Sequence, residues 1–308
     1  MEKDKIYDLL ILGAGPAGLT AAIYGGRYNL KTLVIARSIG GMANDAGELE
    51  NWPGYFGSGL ELMLKFKKQA EEFGAEFLQT EIKDVKKEEN GFVIYADDKE
   101  IRGKTLIVTL GTKHRKLDVP GEKEFLGKGV SYCATCDGSF FRNKTVSVIG
   151  GSDSAAKAAI YLSKICKMVY VIYRGKEMRC EPIYLSKIYE TKNIEIFHFS
   201  KPLEILGKKK VEEIKFLQET PGEKSAVKTL SLDGVFIEIG TVPANEVVKN
   251  LGLEMVEDYI KTDKEMQTNI DGVFAAGDVT NNKFKQVVTA AAEGAIAAKS
   301  AHEWLIGE

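Results

Sequence analysis

The sequence predicts an α/β protein built from two Rossmann-like, three-layer ββα dinucleotide-binding domains. Three observations carry that prediction. An apolar strand runs into a glycine-rich turn and a helix near the N-terminus, the same pattern returns at Thr145, and a close dithiol, Cys133-Ala134-Thr135-Cys136, lies between the two copies. At roughly 100–200 residues per domain, 308 residues suit two such units.

In the first copy, Ile6 to Leu12 enters Gly13-Ala14-Gly15-Pro16-Ala17-Gly18, followed by a helix through about Tyr28 and a second strand from Thr32 to Ile35. In such a turn the first glycine permits the tight bend. The second lets backbone approach a pyrophosphate, and the third lets helix pack on strand, while the helix N-terminus faces the phosphate charge. In the second copy, Thr145 to Ile149 enters Gly150-Gly151-Ser152-Asp153-Ser154-Ala155, followed by a helix to about Ile165 and a strand from Met168 to Tyr173. Ser152 replaces the middle glycine and narrows the space for a pyrophosphate without closing it. The offsets from Gly13 to Arg37 and from Gly150 to Arg174 are equal, which argues for a duplicated fold.

Neither copy carries the acidic residue that grips a ribose hydroxyl at the end of the second strand. The second copy instead offers Arg174, Lys176 and Arg179, whose charges suit a 2′-phosphate and so favour NADPH over NADH; a solvated basic loop is the alternative reading. A Cys-x-x-Cys alone serves half a zinc site, a redox pair or two idle thiols. Its place between two nucleotide folds implies electrons passing from one bound nucleotide, through a second, to sulfur. Cys166 and Cys180 fall in no motif, so four cysteines make no disulfide framework. A net charge of −2, 44% hydrophobic content and the charged start Met1-Glu2-Lys3-Asp4-Lys5 describe an ordinary globular chain. No membrane span, secretory signal or nucleic-acid partner is expected, and a cytoplasmic location follows.

With these motifs in hand, nearly the whole chain resembles the low-molecular-weight thioredoxin reductases. Gly13 to Gly18 is similar to the family's FAD pyrophosphate loop, Gly40-Gly41-Met42 to its next flavin contact, and Glu50-Asn51-Trp52-Pro53-Gly54 to the segment lining the isoalloxazine. Cys133 to Gly138 matches the family's active-site Cys-Ala-Thr-Cys-Asp-Gly, and Gly272 to Asp278 its second FAD signature, in which Gly277 is followed by the aspartate that holds the ribityl chain. Three segments depart from the pattern. Ala-Thr-Gly becomes Thr109-Leu110-Gly111, Arg-Gln becomes Lys285-Gln286, and His-Arg-Arg-x-x-x-Arg becomes Tyr173-Arg174-Gly175-Lys176-Glu177-Met178-Arg179.

The resemblance implies a discontinuous FAD domain, 1–114 with 243–308, and an inserted NAD(P)H and dithiol domain, 115–242. Lys113 to Gly121 and Ile239 to Pro243, with their glycines and prolines, read independently as the two crossings. It also implies FAD as cofactor and NADPH as donor, with NADH, ferredoxin or a deazaflavin as alternatives. Thioredoxin or a glutaredoxin-like protein is the implied partner, and a homodimer the implied assembly. A flavin-dependent ferredoxin-NADP reductase has similar architecture without the dithiol. On this reading Cys136 takes electrons from the flavin, Cys133 attacks the partner's disulfide, and Asp137 is the general acid, a turn or cap aspartate being the alternative. Reacting atoms must approach within roughly 3–3.5 Å, so the inserted domain is expected to present nicotinamide and disulfide to the flavin alternately. The helix from Gln286 to Leu305 aims its N-terminus at the flavin pyrimidine. A helix from Ser58 to Phe73 is expected to pack through Leu60, Met63, Leu64, Lys67 and Phe73, and Lys208-Lys209-Lys210 to form a hairpin turn.

Overall fold

A computed structural model describes residues 5–46 and 48–307; the first four residues of the charged N-terminal run lie outside the described residues. The chain divides into two compact units, Met1–Lys113 with Val242–Glu308, and His114–Thr241. The first unit contains β1 (Ile6–Ala14), α1 (Pro16–Arg27), β2 (Thr32–Ile39), β3 (Glu48–Trp52), β4 (Tyr55–Ser58), α2 (Gly59–Glu72), β5 (Glu76–Gln79), β6 (Ile82–Glu88), β7 (Gly91–Ala96) and β8 (Lys99–Val108). The chain crosses through β9 (Thr112–His114). The second unit contains β10 (Val130–Ser131), α3 (Ala134–Asp137), β11 (Thr145–Ile149), α4 (Asp153–Ser163), β12 (Met168–Ile172), α5 (Pro182–Glu190), β13 (Ile194–Phe197), β14 (Ser200–Gly207), β15 (Val211–Gln218), β16 (Ala226–Ser231) and β17 (Gly234–Ile237). It returns through β18 (Thr241–Pro243) to β19 (Met255–Val256), β20 (Tyr259–Ile260), β21 (Val273–Ala275) and α6 (Val287–Ile306).

The main sheet of the first unit has the order β5-β2-β1-β8-β7-β6. Its central strand β1 is apolar almost without interruption because both its faces are covered. Leu9 and Ile11 join the core formed with α1, α2 and α6, and the alternate residues Leu10 and Leu12 join the core on the opposite face. β8 serves two partners along one edge. Its first half pairs antiparallel with β7, as Phe92 opposite Gly103, and its second half pairs parallel with β21, as Val273 opposite Leu106.

Small residues bring α1 and α6 together. A Cβ on Gly294 would strike the Ala17 carbonyl oxygen, and Ala17, Ala21, Ala290, Ala297 and Ala298 fill the same core. Gly294→Val therefore forces the helices apart. The expected cost is about 1–3 kcal/mol, the usual range for overpacking, read as a lowered urea midpoint at unchanged slope.

On α2 the buried side chains are Leu62, Met63 and Ala70, with Phe66 half-buried against the same core. Leu60, Leu64 and Phe73 are 43%, 49% and 39% exposed, which corrects the packing stripe read from sequence. Leu62, Phe66 and Ala70 recur at i, i+4 and i+8 and so claim the inward face, leaving Leu60 and Leu64 on the flank.

The second unit centres on an all-parallel sheet, β10-β17-β11-β12-β13. Val146 and Val148 of β11 face α4 and α5, while Ile149 belongs to the core shared with the antiparallel sheet β14-β15-β16. Lys208, Lys209 and Lys210 form the exposed turn between β14 and β15. Among the described residues no helix is long and apolar enough to cross a membrane.

Candidate active site

In the first unit the three fingerprint glycines have different physical reasons to be glycine. Gly13 has φ +111°, and a Cβ there would run into the Thr109 carbonyl oxygen; a Cβ on Gly18 would run into the Gly13 carbonyl oxygen. The chain itself requires both. Gly15 has φ −80° and ψ −171°, extended backbone open to any residue, and a Cβ there meets only the Gly40 carbonyl oxygen, at 4.0 Å. Nothing in the protein demands glycine at 15. The N-terminus of α1, begun by Pro16 and Ala17 and lacking a side-chain cap, supplies amides and a dipole that suit a phosphate. Gly41 faces it, its ideal Cβ 3.5 Å from the Gly15 Cα.

Asn44, not singled out from sequence, borders this cradle. Its Nδ2 donates to the Ile39 carbonyl at 2.7 Å, its Oδ1 is buried without a hydrogen-bond partner, and a Cβ on Gly40 would collide with it. A buried acceptor left unpaired is costly unless a ligand donates to it.

The C-terminal segment closes the other side. Gly277 has φ +80°, and its amide donates to Glu293 Oε2 at 2.7 Å, while Asn282 donates to Glu293 Oε1. Glu293, buried on α6, thus fixes the loop carrying Asp278. Its contacts lie across a loop, so sequence spacing gave no signal of them. Lys285 Nζ holds the carbonyls of Asp278 and Thr280 at 2.8 and 2.9 Å and sits 4.0 Å from the Tyr259 ring centroid; burial holds its pKa below the usual lysine range. Gln286 is the N-cap of α6 in a capping box with Thr289, and Asn51 Nδ2 donates to Gln286 Oε1 at 2.9 Å. Two site residues far apart in sequence therefore meet. Gly111 has φ +64° with open space at its Cβ position.

The half-buried Asp278 carboxyl is raised above its ordinary value, chiefly by burial and further by Glu293, against the opposing charge of Lys285. The fold thus favours its protonated form. That contribution to stability is complete below the ordinary aspartate value of 3.8 and is lost as pH rises through the raised one. For the ligand-free protein, Asp278→Asn is expected to raise the melting temperature at pH 7 and leave it unchanged at pH 3.

In the second unit Cys133 and Cys136 form a disulfide with Cα atoms 5.3 Å apart. Cys133 caps α3, its Sγ accepting the Cys136 amide at 3.1 Å. Cys136 is exposed, whereas Cys133 and Asp137 are half-buried. Asp137 occupies the N-cap position of the short 3-10 turn Gly138–Phe141 but makes no side-chain capping bond, so its carboxyl is not committed to a cap.

The second glycine loop repeats the first in backbone terms. Ser152 has φ −99° and ψ −176° at the N-cap of α4, close to the values of Gly15. Gly150 is closed by the Glu238 carbonyl, and the Tyr173 ring packs on Gly151 and Gly175. A Cβ on either glycine would collide with that ring. Arg179 N donates to the Gly151 carbonyl at 2.6 Å, and Glu181 N to Asp153 Oδ1 at 2.7 Å, so the Asp153 carboxylate already holds main chain. Ser152, Ser154, Arg174, Lys176 and Arg179 are exposed. Cys166 is buried, with its thiol pushed up to about 11 by that burial, and Cys180 is raised by burial and Asp153. Neither suits nucleophilic work.

Residues 7–294 match the pyridine nucleotide-disulphide oxidoreductase family. The chain is 39% identical to a thioredoxin reductase of Bacillus subtilis over 309 aligned residues, covering 99% of this chain and 96% of that one. Its structure is similar to that of Lactococcus lactis thioredoxin reductase, with TM-score 0.93, 38% identity and coverage of 98% and 100%. It is likewise similar to that of T. acidophilum thioredoxin reductase, with TM-score 0.90, 36% identity and coverage of 97% and 99%. A Cys-x-x-Cys disulfide that falls between two glycine turns in sequence agrees with the full-length likeness: the chain belongs to the pyridine nucleotide-disulphide oxidoreductases, among the thioredoxin reductases.

Proposed function

We propose that the enzyme uses FAD, held by the discontinuous unit, to pass electrons from NADPH to the Cys133–Cys136 disulfide and on to a thioredoxin or glutaredoxin-like protein, as a cytoplasmic homodimer. The observation that carries the cofactor assignment is Gly15, a glycine that the protein's own packing does not require. When bound, FAD supplies a carrier that accepts two electrons from a nicotinamide coenzyme and delivers them to a disulfide.

Gly13, Gly15, Pro16, Ala17, Gly18 and Gly41 form the pyrophosphate cradle. Asn51, Gly111, Gly277 and Gln286 would line the remainder of the FAD site, and the raised carboxyl of Asp278 would hold the cofactor by hydrogen bonding. In the inserted unit, Gly150, Ser152, Asp153 and Ser154 form the coenzyme loop, with Asp153 acting by bracing Glu181. Arg174, Lys176 and Arg179, all exposed, would supply the charge that holds a 2′-phosphate.

At the dithiol, two electrons break the S–S bond, and Cys133 departs as a thiolate held by the Cys136 amide. The Cys133 thiolate attacks one sulfur of the partner's disulfide and expels the other, which Asp137 protonates. Cys136, as thiolate, then attacks Cys133. That thiolate forms when the Cys136 thiol left by reduction returns a proton to Asp137; the partner's second sulfur leaves Cys133 and takes a proton from solvent as the internal disulfide re-forms.

Anaerobic mixing of the oxidised, FAD-loaded protein with NADPH or NADH tests the donor. Bleaching of the flavin absorbance is expected with NADPH at the lower concentration. No bleaching with either coenzyme overturns the NADPH assignment and points to ferredoxin or a deazaflavin.

A further inference from the structure

The segment before the dithiol contains a buried carboxylate that none of the steps above uses. Glu122 is 6% exposed, and burying a carboxylate is costly unless donors surround it. Three do. Its Oε1 accepts the Leu117 amide at 2.7 Å and the Tyr132 hydroxyl at 2.5 Å, and its Oε2 accepts the Asp118 amide at 2.7 Å. The donors come from two segments, residues 117–118 just beyond the crossing and residue 132 next to the first catalytic sulfur. Glu122 therefore ties one to the other.

Both ends of the tie are anchored. Ile205 N of β14 donates to the Pro120 carbonyl at 2.9 Å, and a Cβ on Gly121 would collide with the Ile205 carbonyl, so residues 120–121 lie directly on that strand. At the other end the Tyr132 ring stacks on His114, with centroids 5.5 Å apart. The Ser131 hydroxyl accepts the Cys133 amide at 3.0 Å and contacts its carbonyl oxygen at 3.2 Å. Burial and Glu122 push the Tyr132 phenol far above its ordinary value, so it remains a donor throughout the working pH range. A line of fixed groups thus runs from β14 through Pro120, Glu122 and Tyr132 to the backbone of Cys133, while Cys136, at the far end of the motif, is exposed.

We propose that Glu122, acting through the Tyr132 hydroxyl, is a positioning residue that holds Cys133 in place when the disulfide opens, so that its sulfur stays within reach of Cys136 for the resolving step. The proposal rests on the thioredoxin reductase reading. It predicts that Cys133 keeps its place when the disulfide opens. Charge-assisted hydrogen bonds from three donors have the strength and directionality for this work, and small displacements of a reacting group cost large factors in rate.

The test compares Tyr132→Phe and Glu122→Gln with the wild-type holoenzyme. Tyr132→Phe keeps the ring and its stack and removes only the hydroxyl. Expected are a roughly tenfold lower kcat with thioredoxin, an unchanged KM for thioredoxin, and unchanged turnover with ferricyanide, which takes electrons without the dithiol. Glu122→Gln should lower the same kcat and speed amide exchange at Leu117 and Asp118, because an amide group at that position turns one acceptor into a donor facing a donor. Wild-type kcat in Tyr132→Phe overturns the proposal, and so does an equal loss with thioredoxin and ferricyanide. If the wild-type enzyme reduces no thioredoxin, the reading of function fails on its own. Unchanged exchange at Leu117 and Asp118 in Glu122→Gln then overturns the clamp independently.

Discussion

Cys136→Ser is expected to abolish thioredoxin reduction, by at least about 10³-fold in kcat as for removal of a covalent nucleophile, while coenzyme oxidation with ferricyanide continues. The reason is chemical before it is structural. Serine cannot accept the electron pair, and without the second sulfur a mixed disulfide formed at Cys133 has no internal route to resolution. Cys133→Ser should block turnover equally, but with a different trapped species, since the remaining sulfur is exposed and has lost the capped neighbour at the start of α3. Non-reducing gels with a thioredoxin lacking its resolving cysteine, its remaining thiol first activated as a mixed disulfide with thionitrobenzoate, should show an adduct with Cys136→Ser, where Cys133 is the attacking sulfur and thionitrobenzoate leaves. An adduct seen only with Cys133→Ser would reverse the roles assigned to the two sulfurs. Undiminished reduction of thioredoxin by either variant would remove the dithiol from the mechanism.

Gly15→Val is expected to produce a folded but colourless protein. The backbone at 15 is extended and its Cβ position is open, so the unfolding transition should stay within about 1 kcal/mol of the ligand-free wild type, as for substitutions away from packed contacts. The new side chain fills open space beside the Gly40 carbonyl oxygen, which lies 4.0 Å from its Cβ. A pyrophosphate needs that space, and FAD affinity should fall by at least about a hundredfold, the cost of a few kcal/mol of lost contacts and clash. Gly13→Val makes the contrast, because it clashes with Thr109 in the chain itself and should lose stability with or without flavin. Absorbance at the flavin band and thermal denaturation of both variants check this. A yellow Gly15→Val protein with normal FAD retention would move the cofactor elsewhere.

What the sequence made legible were the features with short-range physical causes. Gly13 to Gly18 and Gly150 to Ala155 announced themselves because strand, turn and helix follow one another within a few residues, and the equal offsets to Arg37 and Arg174 exposed the repetition. Cys133 and Cys136 were legible because their spacing closes a disulfide on one helical turn. The rest depends on distant partners. Glu293 and Asn44 act through main-chain groups and loops that no periodicity marks, and Glu122 looks like one more charge in a charged stretch until Tyr132 folds onto it. The inward face of α2 was misread because Leu60 and Leu64 are as apolar as Leu62, and only the position of the sheet chooses among them. Gly175, which reads as a lost arginine, is explained once the Tyr173 ring lies over it.

The unit built from both ends of the chain has a consequence for biosynthesis. As the polypeptide leaves the ribosome, residues 114–241 emerge as a finished module while their host still lacks β21 and α6. Until β21 and α6 are made, the second half of β8 has a bare edge, a site for mispairing with other strands, and the glycine turn at 13–18 lacks the helix that packs against it. Flavin loading must therefore wait until β21 and α6 have been made, and chains that stop before them should be cleared or aggregate without ever taking up colour.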